Sequence, residues 1–174
     1  CSSLTSVRFD SDSLLTSFSY RVFYNSGIDA IVIPASTTYI DSVAFSGLTN
    51  LKVYVEYGNT MSISSGSNVA FYGATSATVV TMSCDGGAIS SGTLFVSNII
   101  TKIPSGAFQS CNALTSLNIE ADSSLTLIDD KAFYQATSLT SIIIPASVTK
   151  IGYYVFLSCS SLTSVTFGSN SNLK

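Results

Sequence analysis

Histidine is absent from the 174 residues, and charge is scarce: seven Lys and Arg and ten Asp and Glu make up 10% of the chain, with a net charge of −3. Without histidine there is no Ser-His or Cys-His pair to activate a nucleophile, and no imidazole base near neutral pH. The mild acidity provides no electrostatic footprint for nucleic acid or an anionic membrane. No apolar run approaches the roughly 20 residues of a membrane span, so this segment is not expected to insert into one, and no signal sequence is present. The four cysteines include no C-x-x-C pair, which argues against a zinc site. Neither a metal nor a cofactor is expected.

What the chain does contain is one unit repeated about seven times. Phe23, Phe45, Phe71, Phe108, Phe133 and Phe156 follow one another at intervals of 22, 26, 37, 25 and 23 residues, a basic unit of about 23. Most of these phenylalanines are followed by an apolar-x-x-apolar-x-apolar cluster: Leu114/Leu117/Ile119, Leu139/Ile142/Ile144 and Leu162/Val165/Phe167 are clear cases. Leu51/Tyr54 and Ala77/Val80/Met82 are weaker ones, with Ile28/Ile31/Ile33 and Leu4/Val7/Phe9 at the start. A second apolar site precedes the phenylalanine by five residues (Phe18, Ile40, Ile103, Ile128, Ile151). A third lies three residues further back (Leu15, Ile63, Ile100, Leu125, Val148). Periods of 20 to 50 residues signal stacked units, none of which buries its apolar face alone.

The cluster, rich in β-branched residues and with its last apolar positions two apart, reads as a short strand buried on one face. The stretches before the phenylalanine, such as Ser105-Gly106-Ala107-Phe108 and Asp130-Lys131-Ala132-Phe133, lack that alternation and read as tight or single-turn helical segments. Pro34 and Pro145 fall where a missing N–H ends a strand. The expected architecture has one strand per repeat in a parallel sheet, with loops and short helical or 3-10 turns opposite.

The run Leu139-Thr140-Ser141-Ile142-Ile143-Ile144-Pro145, then Val148-Thr149-Lys150-Ile151, then Val155-Phe156-Leu157-Ser158-Cys159 resembles the BspA-like, treponemal class of leucine-rich repeats. The likeness covers nearly the whole chain. It is strongest over 100–167 and weakest over 54–97, where Gly66 stands in place of an isoleucine. The resemblance implies a curved leucine-rich-repeat solenoid, residues 1–174 as one domain, its parallel sheet on the concave face, used for binding in cell-surface or secreted proteins. The chain opens on Cys1 inside a unit and ends in what resembles the start of another, so a fragment of a longer repeat protein is expected, with self-association through its end repeats.

Cys1, Cys111 and Cys159 share a column that other units fill with Ser26, Leu48, Ala74 and Ala136. Small and apolar substitutes describe a packing slot. Cys111 and Cys159 are two repeats apart, about 10 Å at one strand spacing per coil, too far for a bridge. Cys84 lies off the column beside an irregular insertion at about 85–97. The remaining carboxylates, Asp129 with Asp130 and Glu120 with Asp122, read as solvated or turn-capping groups, and Lys102 and Lys150 as one copied surface position. Asp85-Gly86-Gly87 is not followed by a helix, so it is no phosphate loop. An enzymatic role is not expected.

Two features are candidate binding surfaces. The strand position between the last two apolar residues should face outward, and its column reads Arg8, Val32, Val55, Thr81, Asn118, Ile143 and Thr166. With Val53 and Val79 beside it, the column reads either as an apolar interaction patch or as ordinary strand propensity. The long intervals before Phe71 and Phe108 place extra residues on one edge, where Tyr54, Tyr57, Tyr72 and Phe95 are candidate anchors. For Phe95 the preferred reading is a ring tucked over a repeat whose core isoleucine is missing.

The expected function is a module binding protein or glycan on host cells or matrix, in adhesion. The alternatives are repeats assembled into a fibre or coat, and a recognition domain attached to an enzyme elsewhere in the full chain. The absence of N-x-Ser/Thr sequons agrees with a bacterial or otherwise non-glycosylated setting.

Overall fold

A computed structural model describes residues 2–9, 12–61, 66–85, 88–120 and 122–174, with the backbone alone at 66–70 and 75–76. Cys1 and Ile63 therefore lie outside the described side chains. The chain divides into two compact units, Cys1–Thr81 and Met82–Lys174.

The first unit contains β1 (Ser17–Phe18), β2 (Ala30–Ile33), β3 (Tyr39–Ile40), β4 (Leu51–Val55), β5 (Gly66–Phe71) and β6 (Ala74–Thr81). β2, β4 and β6 run parallel side by side, with β5 added antiparallel to β6 at the edge, while β1 pairs with β3. In β2 and β4 every second residue is apolar and faces inward: Ile31, Ile33, Leu51 and Val53 are fully buried. The two-residue strands follow the same logic, with Phe18 and Ile40 inward and Ser17 and Tyr39 out.

The second unit contains β7 (Ile89–Ser90), β8 (Thr93–Val96), β9 (Lys102–Ile103), β10 (Ser116–Ile119), β11 (Leu127–Ile128), β12 (Ser141–Ile144), β13 (Lys150–Ile151) and β14 (Ser164–Phe167). β10 pairs with β8, which turns back on β7, and β12 pairs with β14; the short strands β9, β11 and β13 form a separate parallel ladder. Most repeats thus carry two strands rather than the expected one. Their second strand holds the apolar site five residues before the phenylalanine. As the prolines predicted, β2 ends immediately before Pro34 and β12 before Pro145.

The expected helical turns are absent: no helix of any kind occurs among the described residues. Left-handed backbone is the reason. Residues two before and two after the phenylalanine adopt positive φ: Arg21 and Asn25, Gly106 and Ser110, Lys131 and Gln135, Tyr154 and Ser158. Such residues cannot continue a right-handed helix and cost roughly 1–2 kcal/mol each outside glycine. They alternate with ordinary turn residues, so that alternate N–H groups point along the stack. Lys131, Phe133 and Gln135 donate to the carbonyls of Tyr153, Val155 and Leu157 in the next coil at 2.9, 3.2 and 2.9 Å. Gly106, Phe108 and Ser110 do the same to Asp130, Ala132 and Tyr134 at 3.0, 2.8 and 2.7 Å. The intervening Ala132, Tyr134 and Ala136 close four-residue turns on Asp129, Lys131 and Phe133.

This corner stacks the phenylalanines. Phe108, Phe133 and Phe156 lie at centroid separations of 5.7 and 5.8 Å with ring planes 13° and 3° apart. Phe23, Phe45 and Phe71 follow at 5.4 and 5.3 Å in the first unit. Threonines reinforce the same stacking: Thr115, Thr140 and Thr163 each donate both N–H and hydroxyl to the carbonyl of Gly92, Thr115 and Thr140, respectively.

One pair of cysteines departs from the expected packing role. Cys84 and Cys111 form a disulfide with Cα atoms 5.6 Å apart. The column geometry rightly separates Cys111 from Cys159, but it says nothing about a cysteine off the column. Among the described residues no phenylalanine turn lies between Phe71 and Phe108, and the segment carrying Cys84 ties down the first corner of the second unit. Cys159 keeps the packing role: it is buried, its thiol donates to the Phe133 carbonyl at 3.0 Å, and burial pushes the thiol pKa up, partly offset by a backbone bond with Ala136. Cys84 and Cys111 are 27 positions apart in sequence, a separation for which loop closure gives about 3–4 kcal/mol. Replacing Cys84 by Ser and Cys111 by Ala is expected to lower unfolding stability in denaturant by about 2–4 kcal/mol. Peptide mapping after alkylation in denaturant is expected to label Cys159 but neither bridge cysteine; label on Cys84 without reduction would contradict the bridge.

Candidate functional site

In the first unit the sheet's solvent-facing column is Val32, Tyr54 and Val80, aligned by the register of β2, β4 and β6. This corrects several expected positions. Val55 is buried and pairs with Ile33, and Thr81, half-buried, follows Val55 in that inward column. Val53 and Val79 are likewise buried, at 0% and 1% exposure. In Leu51-Lys52-Val53-Tyr54-Val55 the strand alternates from Leu51, not from Tyr54, and a slip of one residue exchanges the two faces. Tyr54 is therefore a mid-strand residue rather than an edge-loop one. Tyr57 lies in the turn after β4 and is exposed; Tyr72 is half-buried against Phe71 at the β5–β6 turn.

The second unit has the analogous column Phe95, Asn118, Ile143 and Thr166, read from the paired registers of β8 with β10 and of β12 with β14. Ile143 is 65% exposed and Phe95 49%. A column of hydroxyls, Thr93, Ser116, Ser141 and Ser164, runs beside it. Phe95 neither tucks inward nor belongs to an insertion: its neighbours Leu94 and Val96 are fully buried and pair with Leu117 and Ile119, so residues 93–96 are the strand of a further repeat. The sequence signal was present in the Leu94-x-Val96 spacing, but no phenylalanine turn precedes it at the usual distance.

A cleft of about 450 Å³ opens at the ends of β10 and β12, lined by Leu117, Asn118, Ile119, Glu120, Asp122, Ser123, Ile143, Pro145, Ala146 and Ser147. It brings Asn118 and Ile143 of the predicted column together with Glu120 and Asp122, which sequence reasoning set aside. Glu120 Oε2 accepts from the Ser97 hydroxyl and the Asn98 N–H at 3.2 and 3.0 Å. Asp129 and Asp130 serve as caps, Asp130 Oδ1 accepting the Tyr153 N–H at 2.7 Å. No group of three or more His, Cys, Asp or Glu suited to a metal occurs among the described residues. Sequence reasoning also missed an exposed cluster in the first unit, where the Arg21 guanidinium lies over the rings of Tyr20 and Tyr24 at 5.1 and 4.7 Å.

The register makes a stability contrast. Leu94→Ala is expected to cost about 2–5 kcal/mol, as for a buried large-to-small change, whereas Phe95→Ala next to it should cost less than about 1 kcal/mol, as for a surface position. Denaturant melts of both variants test this; an equal or larger loss at Phe95 would place its ring in the core.

Among curated proteins no relative matches the chain. Solved structures similar to it include leucine-rich repeat proteins from Bacteroides ovatus and Eubacterium ventriosum, 24% and 23% identical, covering 96% and 99% of this chain with TM-scores of 0.42 and 0.40. A leucine rich cell surface protein from Faecalibacterium prausnitzii is 21% identical over 91% of this chain, with a TM-score of 0.29. This chain spans 38%, 47% and 53% of those three chains. The sequence matches the BspA type leucine rich repeat region in six copies over residues 1–94 and 88–173. With that match laid over repeated parallel strands and stacked phenylalanine corners, the chain belongs to the BspA-type leucine-rich repeat family.

Proposed function

We propose that this chain is a binding module of a cell-surface or secreted protein, and that it holds a protein or glycan partner on the solvent face of its parallel sheets, in adhesion to cells or matrix. The observation that carries this reading is the pair Phe95 and Ile143, large apolar side chains standing in solvent on strands whose opposite faces already supply the core. Aromatic and aliphatic anchors on a rigid sheet lose little conformational entropy on binding and favour contact patches. Val32 and Tyr54 present the corresponding column in the first unit.

The Cys84–Cys111 bridge supports the compartment, because disulfides persist in oxidising surroundings. No helix among the described residues is long and apolar enough to cross a membrane. The repeat stack presents a surface rather than an enclosed catalytic centre, and its adjacent acids are engaged as caps; no catalytic role is proposed for it.

Binding of the labelled protein to cultured epithelial cells and to surfaces coated with matrix proteins tests the reading. Saturable binding is expected, reduced about tenfold or more in the double variant Phe95→Ser/Ile143→Ser or in Val32→Ser/Tyr54→Ser, since anchor residues typically contribute above 1–2 kcal/mol. Circular dichroism should show the fold unchanged, because all four positions face outward. Binding by both variants equal to that of the parent would remove the sheet face from the reading.

A further inference from the structure

The coil between β10 and β12 is longer than those around it. Ser116 to Ser141 is 25 residues, whereas Thr93 to Ser116 and Ser141 to Ser164 are each 23. The two added residues fall between the long and short strands: six positions separate Ile119 from Leu125, but four separate Ile144 from Val148. The sheet is interrupted at the same place. β10 is the edge of one sheet and β12 the edge of the next, with no ladder between them. The coils remain pinned on either side of the gap, by Thr140 N–H to the Thr115 carbonyl at 3.0 Å and by Thr149 N–H to the Thr126 carbonyl at 2.9 Å. Leu117 and Ile119, whose partners Leu94 and Val96 are fully buried, become half-exposed in the opening.

The walls have a definite chemistry. Leu117, Ile119, Ile143 and Pro145 are apolar, and the charged groups among the lining residues are two carboxylates, Glu120 and Asp122, with no lysine or arginine. Glu120 is already engaged by Ser97 and Asn98, which leaves Asp122 as the carboxylate on the longer turn for a ligand. Ser147, on the opposite wall, has a buried hydroxyl with no hydrogen-bond partner among the described residues. A volume of about 450 Å³ falls within the range of small-ligand sites, about 300–1,000 Å³.

We propose that this cleft seats an extended peptide carrying a lysine or arginine next to aliphatic residues. The aliphatic side chains would lie against Leu117, Ile119 and Ile143, with the cation facing Asp122. The two facing strand edges, outside any ladder, favour a peptide over a sugar or a lone amine, because a peptide backbone supplies both donors and acceptors to a strand edge. The proposal deepens the binding reading above and rests on it.

The test titrates Ac-Val-Lys-Val-Lys-Val-NH2, and its counterpart with Glu in place of Lys, into the full chain while following methyl resonances of Leu117, Ile119 and Ile143. The lysine peptide is expected to shift all three saturably, with affinity falling as salt rises, and the glutamate peptide to leave them in place. Asp122→Asn should weaken binding about threefold to fivefold, as for one exposed ion pair. Asn tolerates the left-handed backbone of Asp122 (φ 55°). Asp122→Lys should exchange the preference toward the glutamate peptide, a gain that a misfolded variant cannot show. Equal response to the two peptides, no response to either, or a response to maltohexaose alone would overturn the proposal. If cells still bind through Phe95 and Ile143 in that event, only this inference falls and the broader reading stands.

Discussion

Backbone hydrogen bonds from one coil to the next are the constraint on which the rest of the structure depends. In the strands this is an ordinary parallel ladder, but at the phenylalanine corner the chain turns sharply while still donating alternate N–H groups along the stack. Residues of left-handed backbone on both sides of the phenylalanine make that possible. Glycine would adopt this conformation without steric cost, yet the chain mostly uses Lys, Gln, Ser, Asn, Arg and Tyr there. The strain is offset by the bonds it permits, and each corner is held in register with its neighbours.

Once the register is fixed, like falls on like. Phenylalanine stacks on phenylalanine at 5.7 and 5.8 Å, and each threonine hydroxyl finds the carbonyl of the threonine one coil earlier. The abundance of Ser and Thr and the scarcity of charge follow from this: hydroxyls bridge coils 23 or 25 residues apart, whereas a stacked column of like charges would repel itself. The same register governs the outer face. A single column passes through Phe95, Asn118, Ile143 and Thr166, and the cleft opens where one coil is two residues longer than its neighbours and β10 and β12 lie in separate sheets.

Much of this was legible in the sequence because it is periodic. The phenylalanine interval, the apolar columns and the strand-ending prolines identified the repeat family and most of the core. Three features were not legible. The corner has helical length without helical periodicity, and only the φ values of residues such as Lys131 and Gln135 distinguish it from a short helix. In Leu51 to Val55 apolar residues occupy both faces, so the pattern does not fix the register, and Val55, expected outward, points in. The Cys84–Cys111 bridge joins a column to an irregular segment, and column arithmetic applies only within columns. Val32, Asn118 and Ile143 occupy the outward strand position that the spacing assigns them, while Phe95 and Tyr54 belong to strands rather than to edge loops.

The surface is thus a by-product of the stacking rule, and the cleft proposed as a peptide site lies at one of its irregularities. If the left-handed corner is the organising element, position 131 should respond to substitution in the opposite sense to a helix. In a helix Gly is the costlier replacement, about 1 kcal/mol against about 0.6 for Val. In left-handed backbone Gly is free of the steric cost that Val pays, about 1–2 kcal/mol. Unfolding free energies of Lys131→Gly and Lys131→Val, measured in denaturant, test this directly. The account predicts Gly to be the more stable of the two; Val equal to or more stable than Gly would contradict it.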